Sequence, residues 1–139
     1  MRNFQTLDTY VVESDLGILY LSSSTEAIGT PKVSMRREGG YMSISVSYGP
    51  LEIALRPRFA DLSRTLARLR PVQGLQTTRQ VGSAQAYIAL GLREDGTLVM
   101  RPTLVSDATG LMVYNLLLTD PVREALYVWL PVEEGVGQV

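Results

Sequence analysis

Apolar and polar positions alternate along most of this chain, and a period of two is the mark of strands that bury one face. "TYVVES" at 9–14 and "GILYLSSS" at 17–24 read as strands on either side of an Asp-Leu-Gly turn. "STEAIGTPK" at 24–32 reads as a loop because Gly29 and Pro31 punctuate it. In "KVSMRREGGYMSISVSY", residues 32–48, Gly39 and Gly40 supply a two-residue hairpin turn that dictates a register. Glu38 then faces Tyr41, Arg36 faces Ser43, Ser34 faces Ser45 and Lys32 faces Ser47. The opposite face holds Val33, Met35, Met42, Ile44, Val46 and Tyr48, and only Arg37 breaks the alternation.

The period then changes. After the short strand "LEIAL", a helix is expected from near Pro57, with Phe59, Leu62, Leu66 and Leu69 as its buried stripe. Arg64 and Arg68 lie four apart on its far side, and Pro71 ends it because proline cannot continue helical geometry. "VQGLQTTRQVGS" at 72–83 reads as a hinge between halves. The second half repeats the plan: "AYIALGLREDGTLVMRP" is a hairpin turning at Asp95-Gly96, a further turn falls around Asp107 to Gly110, and "TDPVREALYVWL" begins a helix. There Asp120 suits the N-cap and Pro121 the first helical position, with Val122, Leu126 and Trp129 or Leu130 facing inward.

"REGG" at 37–40 matches "REDG" at 93–96, and the strand-to-helix segments 51–71 and 113–132 match in apolar order. The expectation is an α+β fold: one domain over 1–139 with curved antiparallel sheets in two strand-rich repeats, 1–71 and 77–132, each followed by a helix. "ALGLREDGTLVMRPTLV" and "GLMVYNLLL" are apolar on both faces, which predicts strands covered on both sides. Contact with a second subunit is the simplest cover, so a symmetric homo-oligomer is expected.

Composition narrows the chemistry. Among 139 residues there is neither cysteine nor histidine, which removes thiolate nucleophiles, disulfides, the usual zinc sites and the commonest general base. No Gly-x-Gly-x-x-Gly or Gly-x4-Gly-Lys loop is present, so no nucleotide cofactor and no metal is expected. The pairs Glu94-Asp95 and Glu133-Glu134 read as solvated charge. "SSST" at 22–25 reads as a loop entrance, since no histidine can activate a serine. No apolar run reaches the roughly 18 to 20 residues of a bilayer span, and the first residues lack the order of a secretory signal. A soluble protein is expected, intracellular and either cytoplasmic or nucleoid-associated.

Charge is unevenly placed. The net charge of -1 divides into -3 over residues 1–31, +6 over 32–79 and -4 over 80–139. Either the central arginines form an electropositive face or they pair with acids from the flanks. In the first case the candidate binding residues are Lys32, Ser34, Arg36, Tyr41, Ser43, Ser45 and Ser47 on one hairpin face, extended by Arg56 and Arg58 at the strand-to-helix junction or by Arg64 and Arg68. Cations meet phosphates there, hydroxyls donate to phosphate or base atoms, and Tyr41 offers a ring for stacking. Tyr48, Phe59, Tyr114 and Trp129 fall on apolar stripes and read as core, whereas Tyr10, Tyr20 and Tyr87 suit either role.

The two junctions, "LEIALRPRFADLSRTLARL" and "NLLLTDPVREALYVWL", resemble those of the Whirly and positive-cofactor-four group of single-stranded nucleic-acid-binding proteins. The resemblance implies curved antiparallel sheets followed by helices, and assembly through the helices. The lysine-rich strand motif of plant Whirly proteins is absent, so no contact residue is carried over. The leading expectation is a non-catalytic module that binds single-stranded DNA or RNA with little sequence preference. The alternative is a structural or protein-binding oligomeric subunit, such as a viral or assembly component.

Overall fold

Chain reversals at Gly17 and Gly39 use φ of +66° and +64°, a region that side chains with a Cβ rarely enter, and each lies in a turn between antiparallel strands. The computed structural model describes residues 4–25, 30–72, 78–107 and 109–131. In order, the elements are β1 (Gln5–Leu7), β2 (Thr9–Glu13), β3 (Ile18–Ser22), β4 (Lys32–Glu38), β5 (Tyr41–Tyr48), β6 (Leu51–Leu55) and α1 (Phe59–Arg68). There follow β7 (Pro71–Val72), β8 (Arg79–Gly82), β9 (Ala86–Arg93), β10 (Leu98–Asp107), β11 (Gly110–Val113), β12 (Leu116–Leu118) and α2 (Asp120–Trp129). The expected α+β class holds, with two strand-rich regions each followed by a helix.

One sheet has the order β2-β3-β4-β5-β6 and is antiparallel throughout. The other runs β1-β12-β10-β9-β7, with β11 also on β10 and β8 also on β9; β1–β12 and β7–β9 are its parallel pairs. The β4–β5 register is the one the Gly-Gly turn dictates: Glu38↔Tyr41, Arg36↔Ser43, Ser34↔Ser45 and Lys32↔Ser47. Arg37, the exception to the alternation, lies with its guanidinium carbon 3.7 Å from the centre of the Phe59 ring, and its Nε donates to the Gly39 carbonyl. A cation takes the inner position because an aromatic ring meets it there.

Val33, Met35, Met42, Ile44 and Val46 from the first sheet meet Leu62 and Leu66 of α1 in one continuous core with Ile88, Leu90, Leu98, Met100, Leu116 and Leu118 from the second. Each such side chain, fully withdrawn from water, contributes about 1.5–3 kcal/mol. α1 packs on β5 and β8, and α2 packs on β2 and β3. The helices meet where the buried Tyr127 hydroxyl donates to the Leu66 carbonyl at 3.0 Å, closing 61 residues of chain. Among the described residues no helix is long and apolar enough to cross a membrane.

Several expectations are corrected. The N-cap of α2 is Thr119, and Asp120 is already helical, one position earlier than the Asp-Pro pair suggested. Residues 79–82 of the expected hinge form β8 and pair with β9; residues 73–77 lie outside the described residues, as do Glu133 and Glu134. Tyr48 is exposed rather than buried, and Tyr114, Phe59 and Trp129 only flank the core. Burial on the second face of β9 and β10 needs no other subunit. Ala89, Val99 and Thr103 are 4%, 3% and 2% exposed in the single chain, each beside a larger cross-strand neighbour, Arg101, Leu117 and Tyr87 respectively. Arg101 lies along this face, its Nε donating to Asn115 Oδ1.

Candidate nucleic-acid interface

Directly paired residues in a sheet project to the same side, so the β4–β5 register determines which other strands share the hydroxyl face. One row across the first sheet is Val11, Tyr20, Ser34, Ser45 and Ala54. The row on one side is Glu13, Ile18, Arg36 and Ser43; on the other, Lys32, Ser47 and Glu52 stand side by side. At the hairpin end Glu38 faces Tyr41, which is bridged to Arg58. Lys32, Arg36, Tyr41 and Arg58 are exposed, and the four serines are half-buried between their neighbours. Seven hairpin positions expected on one face are on one face.

The sequence left Tyr20 open, and the fold resolves its position. It stands opposite Ser34 with 40% of its surface exposed, close to the 43% of Tyr41, so the face carries two accessible rings. Period-two reading of "GILYL" places Tyr20 opposite in sense to Leu19 and Leu21. That β3 lies beside β4 is a pairing across the 24–32 loop, which local pattern does not specify.

The charge is more balanced than the segment sum. Arg56 Nη2 lies 3.4 Å from Glu38 Oε1, and its guanidinium carbon sits 5.5 Å from the Tyr41 ring centre. Among the described residues Lys32, Arg36 and Arg58 are in no ion pair. The face therefore holds four cations, Lys32, Arg36, Arg56 and Arg58, against the carboxylates Glu13, Glu38 and Glu52. Arg64 and Arg68 do not join it: α1 covers the inner side of the sheet through Leu62 and Leu66, and Arg64 pairs with Asp61 at 3.3 Å on the helix surface. Arg70 donates to the carbonyls of Ala67 and Leu69. The basic block is thus divided among surfaces.

Carboxylates elsewhere serve the turns. The Asp8 carboxyl is held below its ordinary value by the Ser24 hydroxyl and backbone N–H, Asp95 by those of Thr97, and Asp107 by those of Thr109. Each accepts two hydrogen bonds: those to Asp95 and Asp107 come from two residues on and tie down a turn, and those to Asp8 come from Ser24, just past the end of β3. The buried Tyr114 hydroxyl has no hydrogen-bond partner among the described residues, and its pKa is pushed up by burial first and by the nearby Tyr48 second. Those two rings are 6.3 Å apart and inclined at 45°. Among the described residues no three metal-ligating side chains come together.

A separate, mostly apolar groove of about 500 Å³ lies between β2 and α2, lined by Tyr10, Val12, Pro121, Ala125, Val128 and Trp129, with Glu124 as its one charged residue. Compared with protein-family models, with curated proteins and with solved structures, the chain matches none of the three.

Proposed function

We propose that this protein is a non-catalytic module that binds single-stranded DNA or RNA, with low sequence preference, across the outward face of the five-stranded sheet. The observation that carries this reading is that two accessible rings, Tyr20 and Tyr41, share one surface with Lys32 and Arg36, cations in no ion pair among the described residues. Four residues along a strand and two strands across separate the rings by about 16 Å, which suits a strand lying diagonally with a base stacked at each end. Ser34, Ser43 and Ser45 line the path between them with hydroxyl donors, and Ser47 lies beyond it beside Lys32. The surplus of cations on this face is small, so stacking supplies much of the affinity and charge the remainder.

The test is fluorescence polarisation with a labelled oligothymidine and its RNA counterpart at about 50 and 300 mM salt. Binding that weakens with salt supports the reading, and no binding at the lower salt removes it. A second reading, a structural or protein-binding subunit, is favoured by one specific observation: Tyr10, Val11 and Val12 of β2 and Val128 of α2 are all exposed. Polarisation and light scattering together separate the two: salt-sensitive binding supports the first, and a large oligomer without binding supports the second.

A further inference from the structure

β2 is the least protected strand of the first sheet. Among the described residues it pairs with β3 on one side only, and Tyr10, Val11, Val12 and Glu13 are all exposed. Its inward residues Tyr10 and Val12 pair with Leu21 and Leu19, which are fully buried, yet they remain 48% and 44% exposed. α2 reaches over both β2 and β3 yet closes off only Leu19 and Leu21, leaving Tyr10 and Val12 about half open. β6, the opposite edge, buries its inward Ile53 and Leu55 and leaves only Leu51, at its start, exposed on that side. On the far wall of the groove beside β2 stands Val128 of α2, 80% exposed and the most exposed large apolar residue described. Monomeric proteins usually blunt such an edge with lysine, proline or a bulge, and "TYVVE" has none of these.

We propose that β2 is a dimerisation edge, on which a second copy of this chain pairs antiparallel about a two-fold axis through Val11, joining two five-stranded sheets into one of ten. The strand is complementary to itself in one register. With Val11 on the axis, Tyr10 of each copy faces Val12 of the other, an aromatic ring against a β-branched side chain twice over, and Thr9 faces Glu13, a hydroxyl against a carboxylate. A shift of one residue sets the inner face of one sheet against the outer face of the other. A shift of two leaves three of the five residues paired. No other register uses the whole strand.

The same axis brings the two α2 helices side by side over the paired strands, closing each groove and covering Val128. The uncovered side chains and their flanking backbone bury on the order of 1,000 Å² over the two copies, the lower limit for a specific interface. The two outward faces then run into one another through Val11 and Tyr20. This dimer stands on the edge and the groove alone and holds whether or not nucleic acid binds.

Sedimentation equilibrium on the full chain, without nucleic acid, tests it over about 5 to 200 µM, a window that reads micromolar dissociation constants. The expected result is a reversible dimer. Val11→Lys and Val11→Glu each place like charges on the axis and weaken association at least tenfold, while an equimolar mixture of the two recovers a dimer. Circular dichroism checks the fold; should either variant lose its strand signal, Val128→Lys reports in its place, with the same tenfold loss. A monomer at the highest concentration, an oligomer that ignores these substitutions, or a charge-swapped mixture that associates no better than its components overturns the proposal.

Discussion

Neutralising Lys32 and Arg36 together, as Lys32→Gln with Arg36→Gln, isolates the electrostatic share of oligonucleotide binding. Both side chains are exposed on the hydroxyl face, and among the described residues neither is in an ion pair, so no carboxylate is orphaned by the change. Surface replacements of this kind alter stability by no more than about 0.5 kcal/mol. Each phosphate contact on a single strand contributes roughly 0.7 to the slope of log K against log salt, so losing two flattens the slope by about 1.4. At about 0.1 M salt this is close to a 25-fold loss of affinity, or about 1.9 kcal/mol, and it vanishes as salt approaches 1 M. The assay is a polarisation titration of labelled oligothymidine at four or five salt concentrations, for the parent chain and the variant. Equal slopes and equal affinities refute the placement of the strand on this face. A loss of the same size at every salt concentration refutes the counterion-release argument instead.

The other predictions concern stacking, core and pH. Tyr20→Ser costs about 1–3 kcal/mol of oligonucleotide affinity through the lost stacking partner, and the loss measured by polarisation is the same at low and high salt. Leu66→Ala, on the buried side of α1 at a position 1% exposed, lowers stability by about 2–5 kcal/mol in urea unfolding; a change under 1 kcal/mol means that the site collapses or is not core. Asp107 has its pKa lowered from 3.8 by the Thr109 donors, so its contribution is present above the ordinary carboxylate value and is lost as pH falls through the folded one. The stability gap between the parent chain and Asp107→Asn, read by urea unfolding, is therefore constant from about pH 7 to 5 and narrows below 3.8; a gap that does not narrow as pH falls below 3.8 contradicts the assignment.

The hairpin face was legible in advance because its determinants are local. Gly39-Gly40 specifies a turn, the turn specifies a register, and strict alternation then assigns each serine and cation to a side. α1 was legible for the same reason, from Leu62 and Leu66 at helical spacing, to within two residues of its start. Charge was not. Arg56 meets Glu38 across the end of the hairpin, and Arg64 and Arg68 ride on a helix that covers the other side of the sheet, so a net charge summed along residues 32–79 overstates what one surface presents. Tyr20 belonged to the candidate site all along, but only the β3–β4 pairing brings it beside Ser34.

From the amino-acid order alone come the α+β class, the two hairpins at 37–42 and 93–98, both helices, and the outward sense of Lys32, Arg36 and Tyr41, since alternation and turn chemistry act over a few neighbouring residues. Tertiary structure alone decided that α2 crosses to pack on β2 and β3, that β1 joins β12 in parallel, that β9 and β10 are covered on both sides within one chain, and that Tyr10 and Val12 stay uncovered while Leu19 and Leu21 beside them are buried. A strand's period states which side chains share a face. What lies against that face depends on segments a hundred residues away, and their arrival is written in no local pattern.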